Sequence, residues 1–139
     1  MSQFPADLMA TIRCSSTALT MQWLTAMFGL REHVARQAPD GRIVHAEMIH
    51  GTNGMLILGD IAIPSEVQRF AVQPGKASTY LVMSETDVEA AFTRVQASAA
   101  SGECEVVLEL DRPAYGGATF TCADRDGHYW TIGSYRPSM

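Results

Sequence analysis

Four histidines stand at His33, His45, His50 and His128. Imidazole and carboxylate are the usual ligands and proton carriers of enzymes, so spacing decides whether these have work to do. His45 and Glu47 are two residues apart in a run with strand composition, which puts both on one face. They could seat a divalent cation if a third donor came from elsewhere, and His128 is the remaining candidate. The plain reading is a polar pair lining a wet cavity or a dimer edge. His50 and His128 fall at predicted turns and read as surface or capping groups. Cys14, Cys104 and Cys122 are far apart and form no CxxC. Each sits among apolar residues, so they read as small buried hydrophobes in a reduced, cytoplasmic protein.

Other side chains suit binding better than bond-making. Tyr115 precedes a Gly-Gly pair and either closes over a ligand or anchors a turn. Phe70 lies in a long loop and could serve as a lid hydrophobe. Arg13, on the first predicted strand, binds an anionic group or pairs with an Asp or Glu. Glu103, Glu105 and Glu109, with Glu47, could wall a cavity for a cationic guest, with aromatic faces adding cation–π attraction. The alternative is a solvated strand face that resists edge pairing.

These groups are carried on a repeated pattern. Met9–Cys14 is a strand, Ser15-Ser16-Thr17 offers helix-cap chemistry, and Leu19, Trp23, Leu24, Met27 and Phe28 recur at helical spacing until Gly29. Arg31–Gln37, Ile43–His50 and Met55–Leu58 read as three strands, joined by turns at Asp40-Gly41 and Thr52-Asn53-Gly54. The pattern then restarts. Ser78–Met83 is a strand, and Ser84 opens a helix with Val88, Ala91, Phe92 and Val95 on one stripe. Glu103–Leu110 alternates polar and apolar residues. Thr119–Ala123 and His128–Ser134 flank an Asp126-Gly127 turn. The two copies are offset by about seventy residues, too long for a solenoid repeat. The reading is a single α+β domain over 1–139 made of two tandem βαβββ modules, about 7–60 and 77–137, linked by a loop at 61–76. Helices cover the outer face of a cupped, mixed β-sheet, and the other face encloses a cavity.

Composition agrees. The chain has 139 residues, 47% of them hydrophobic and 18% charged, with a formal net charge of −5. That is enough chain to bury a core without disulfides or metal. No basic cluster marks a nucleic-acid surface. No apolar run nears the roughly 20 residues that span a bilayer, and no leader is read at the start.

The stretch Tyr115-Gly116-Gly-Ala-Thr-Phe120-Thr-Cys-Ala-Asp124-Arg-Asp126-Gly127-His128-Tyr-Trp130-Thr-Ile-Gly133-Ser-Tyr135 carries a resemblance. It is similar to the closing motif of the vicinal oxygen chelate superfamily, the glyoxalase / bleomycin-resistance / extradiol-dioxygenase group, with Arg125 where proline is usual. Ala46–Gly51 followed by Met55–Asp60 resembles the third and fourth strands of the same fold. In metal-dependent members each module supplies one ligand from its first strand and one from its last. Carried over, those positions fall near Met9, at Ile57 or Leu58, at Ser78 or Thr79, and at Thr131. None is a usual divalent-cation ligand. The resemblance therefore implies the metal-free, ligand-sequestering branch, with no cofactor and no metal, as a cytoplasmic homodimer holding a small organic molecule. If Thr131 faces the cavity, Tyr129 shares that face and Trp130 packs under a helix. Glu47, Thr79, Tyr115, Tyr129, Thr131 and Phe70 are then the expected ligand-binding residues. The alternative is a metal-dependent lyase, isomerase or dioxygenase with the displaced ligands His45, Glu47 and His128.

Overall fold

The computed structural model describes residues 3–62, 74–75 and 77–138. It falls into two compact units, Met1–Ala77 and Ser78–Met139. The first holds β1 (Met9–Cys14), α1 (Thr17–Phe28), β2 (Arg31–Gln37), β3 (Ile43–His50) and β4 (Gly54–Asp60). The second holds β5 (Ser78–Val82), α2 (Glu85–Ala100), β6 (Glu105–Asp111), β7 (Thr119–Ala123) and β8 (Tyr129–Gly133). The βαβββ order is thus written twice, in an α+β fold.

In the first unit the strands are ordered β1-β4-β3-β2. β1 and β4 run parallel and the other pairs are antiparallel. A parallel pair needs a long crossover, and α1 begins it. The Ser16 side chain accepts the Leu19 N–H at 3.3 Å, and Gly29 ends the helix at φ 73°, its N–H bonded to the Thr25 carbonyl. Glycine takes that left-handed conformation without a Cβ penalty. The buried stripe differs from the expected one. Leu19 is 43% exposed, whereas Thr17 and Thr20 are buried with Met21, Leu24 and Phe28. The two threonines complete the inward face, so a stripe counted from aliphatic and aromatic residues alone is rotated. Beneath it lie Ile12, Cys14, Ala46, Met48, Leu56 and Leu58, all buried. The fourth strand continues through Gly59 to Asp60, which pair with Arg13 and Cys14.

The turns are also built differently. At Asp40-Gly41 only Gly41 has positive φ, 88°, and no non-glycine does among the described residues. Gly41 donates to Ala38, and Ala38 to Arg42. The turn is therefore centred on Pro39-Asp40 with the glycine last. Between β3 and β4 the positive φ belongs to Gly51, not Gly54.

The second unit repeats the order as β5-β8-β7-β6, with β5 and β8 parallel. Ser84 caps α2 by accepting the Asp87 N–H, and Glu85 and Asp87 lie in its first turn, where carboxylates favour the helix dipole. Val88, Ala91, Phe92 and Val95 face the core as expected, and Phe92 packs on Phe120 with ring centroids 5.1 Å apart. Trp130 and Ile132 are fully buried on the same side. β6 departs from clean alternation. Its pairing with β7 is irregular between Val106 and Leu108 and again between Leu108 and Asp111. Bulges of this kind re-aim side chains, and Leu108 is 62% exposed. Cys14 and Cys122 are buried and Cys104 partly so. Burial, with smaller contributions from Cys104 and Asp124, pushes the Cys122 thiol up to about 12.

Candidate functional site

Each sheet has one face under its helix and one open face, and the register says what each open face carries. In the first unit one row across the strands is Thr11–Ile57–Glu47–Val34, and the next is Arg13–Gly59–His45–Arg36. Imidazole and carboxylate do meet. His45 Nε2 lies 3.2 Å from Glu47 Oε2, with both side chains partly exposed. Such a pair can hold one proton between two groups or orient a ring for a ligand. His33 does not join it. It is skipped where the pairing shifts between Glu32 and Val34, and its ring stands 6.3 Å from that of Phe4. His50 ends β3 and pairs with Gly54.

Arg13 lies over Gly59, where a Cβ would come within 3.6 Å of its Nε. Its Nη2 donates to the Asp60 carbonyl at 2.7 Å. The Asp60 carboxylate takes both Nε and Nη2 of Arg42, and accepts the Ala62 N–H at 2.7 Å. Burial alone would raise the Asp60 carboxyl. Those hydrogen bonds and the charges of Arg42 and Arg13 outweigh it and hold the group below the usual carboxylate range. Arg13 thus belongs to an internal ionic cluster. On the helix side of this unit an open groove of about 350 Å³ is lined by Met21, Gln22, Thr25, Ala26, Glu32 and Met48, and none of the candidate residues borders it.

The open face of the second unit is chemically different. Its rows are Ser78–Tyr129–Ala123–Glu105, Tyr80–Thr131–Thr121–Leu108 and Val82–Gly133–Thr119–Asp111. β5, β8 and β7 place no charged residue on it. Thr121 and Thr131 share a hydrogen bond of 2.9 Å between their hydroxyls. Tyr80 is 45% and Tyr129 46% exposed. A Cβ at Gly133 would overlap the Tyr80 hydroxyl and lie 3.2 Å from Thr119 Oγ1. The glycine leaves room for the phenol to lie along the sheet. Tyr129 and Thr131 share the open face while Trp130 and Ile132 are under the helix, as the alternation predicts. Thr79 needs correction. Its register partner is Trp130, so it is on the helix side, and Tyr80 stands beside Thr131. The offset of a parallel strand pair has no local sequence signal, so the sequence pattern does not single out Tyr80.

Of the remaining candidates, Tyr115 is 75% exposed, edge-on to Tyr135 at 6.0 Å, in a turn closed by Gly116 N–H donating to the Pro113 carbonyl. Phe70 lies outside the described residues. The glutamates form no continuous wall. Register assigns Glu105 to the open face, Glu103 precedes β6, and Glu109 falls in the irregular stretch between Leu108 and Asp111.

The closing motif is accounted for by one carboxylate. Asp124 Oδ1 accepts the backbone N–H of Asp126 at 2.9 Å and of His128 at 3.1 Å. Its Oδ2 accepts the Trp130 indole N–H at 2.9 Å. Gly127, at φ 86°, donates to the Asp124 carbonyl and closes the turn. His128 is 1% exposed rather than at the surface. It stands just before β8, its backbone N–H held by Asp124. Among the described residues no three His, Cys, Asp or Glu side chains gather as a metal site. The positions carried over from the resemblance offer a thioether at Met9, an alkyl chain at Ile57 and hydroxyls at Thr131 and at Ser78 or Thr79, while Leu58 is core. That set does not fit a divalent cation, which needs about three good N or O donors.

Two sheets of β1-β4-β3-β2 type, each with one helix and an open face, define a duplicated α+β fold. The profile of the Glyoxalase/Bleomycin resistance protein/Dioxygenase superfamily matches residues 8–132, and the chain belongs to that superfamily. Among solved structures it is similar to TioX from Micromonospora sp. ML1, with TM-score 0.69 and 23% identity over 93% of this chain and 98% of that one. It is also similar to a lactoylglutathione lyase from Agrobacterium tumefaciens, with TM-score 0.65 and 18% identity over 92% of each chain. A glyoxalase/bleomycin resistance protein from Streptomyces sp. CB03234 gives TM-score 0.61 and 17% identity over 89% of this chain and 96% of that one. Identities this low establish a shared fold. No curated protein matches the chain. No helix among the described residues is long and apolar enough to cross a membrane.

Proposed function

We propose that this chain is a small-molecule binding member of its superfamily, a homodimer that holds an organic guest on its open sheet faces without a catalytic metal. The observation that carries this reading is the donor set. Where the resemblance locates metal ligands, the chain has Met9, Ile57 or Leu58, Ser78 or Thr79, and Thr131, and beside Thr131 stands the exposed phenol of Tyr80. Thioether, alkyl and hydroxyl groups grip cations poorly but pack and hydrogen-bond well against organic molecules. Native mass spectrometry of the full chain, mixed with cationic antibiotics and with neutral aromatic metabolites, tests it. The expected spectrum is a dimer carrying one guest per chain for at least one class. A spectrum in which no guest from either class is retained overturns the reading.

One observation favours a second reading, that of an enzyme. His45 and Glu47 form a partly exposed hydrogen-bonded pair. Of the three displaced ligands this reading requires, His128 is buried, with 1% of its surface exposed. Tight, stoichiometric metal abolished by His45→Ala would favour the enzyme.

A further inference from the structure

The two open faces differ in kind, and the difference names a ligand class. The first unit's face carries Arg13, Arg36, His45 and Glu47. The second unit's face carries only uncharged groups on β5, β7 and β8. There, Thr121 and Thr131 make a hydroxyl pair at 2.9 Å, with Thr119 beside Gly133. Tyr80 stands half-exposed within the Thr131 row, and Tyr129 half-exposed in the row next to it. Gly133 is essential to this layout, since any Cβ there would displace the Tyr80 hydroxyl.

Resting on the binding reading above, we propose that this face recognises an uncharged aromatic molecule bearing an amide or hydroxyl group, with Tyr80 as the specificity-determining residue. Hydroxyls donate and accept, so they can answer both ends of an amide. Tyrosine rings offer apolar faces to a planar guest and lose little entropy in doing so. A formal charge on the guest would shed water against groups that supply no counter-charge, which costs more than the hydrogen bonds return. The carboxylates Glu105 and Asp111 are both exposed and belong to β6, separated by β7 from Thr131. Water screens them there.

The test is an NMR titration of the full-length protein with three probes of one shape: 2-naphthamide, 2-naphthoate and (2-naphthyl)trimethylammonium. The neutral amide is expected to bind tightest, shifting backbone signals of Thr119, Thr121 and Thr131. Tyr80→Phe keeps the ring and removes one hydrogen bond, so it should weaken 2-naphthamide between about threefold and tenfold. Thr131→Val, of like shape, should do the same. Equal or tighter binding of either charged probe overturns the proposal, as does a Tyr80→Phe affinity equal to wild type. If 2-naphthamide fails to bind while native mass spectrometry retains another guest, the ligand class is wrong and the binding reading stands. If nothing binds in either experiment, both fall.

Discussion

Asp124 shows how one side chain can organise a motif. Its carboxylate receives two backbone N–H groups of the β7–β8 turn and the indole N–H of fully buried Trp130. Hydrogen bonds to a charged acceptor contribute roughly 1.5–3 kcal/mol each, and a buried donor left unmade costs about 1–3 kcal/mol. Asp124→Ala is therefore expected to cost about 3–5 kcal/mol in a urea titration. Asp124→Asn keeps one acceptor oxygen for the turn but turns an N–H toward the indole, and should cost about half as much. Equal, small losses for both would mean that the turn holds without this carboxylate. The spacing of Asp124, Gly127 and Trp130 was visible as a family resemblance. Its physical content, a carboxylate bonded two ways, was not, because nothing local says which of three nearby Asp or Arg side chains turns inward.

At the scale of elements, Arg42 is the fastener of the first unit. Standing just before β3, it clasps Asp60 at the end of β4 and donates to the Ser15 carbonyl between β1 and α1 at 3.0 Å. Asp60 titrates below the usual carboxylate range in the folded chain. Its stabilising contribution is therefore complete above the unfolded value near 3.9 and is lost as pH falls through the lower folded value. Urea midpoints of wild type and Asp60→Asn are expected to differ clearly at pH 7 and to converge as pH drops below about 4. A gap that stays constant with pH would show that the charge of Asp60 does no stabilising work. Strand and helix positions were largely legible, since Ser16, Gly29 and Ser84 mark ends and the apolar patterns mark faces. Legibility failed where polar residues took core roles, as Thr17 and Thr20 do in α1. It failed again where β6 is bulged and where the β5–β8 register, invisible locally, puts Tyr80 rather than Thr79 beside Thr131.

For the whole molecule, duplication gives two similar sheets, and the residues on them have diverged. One open face is charged and carries the His45–Glu47 pair. The other is a hydroxyl surface flanked by tyrosines. The same fold carries a lactoylglutathione lyase and a bleomycin-resistance-type protein, so the architecture alone decides nothing about chemistry. The metal-free reading proposed above rests on the donor types at Met9, at Ile57 or Leu58, at Ser78 or Thr79, and at Thr131. Elemental analysis of the full-length protein, loaded with nickel, zinc, manganese or iron and then dialysed, reads that out most directly. The expected result is far less than one ion per chain for every metal, with unchanged thermal stability. One firmly retained ion per chain, raising the melting temperature, would overturn the metal-free reading.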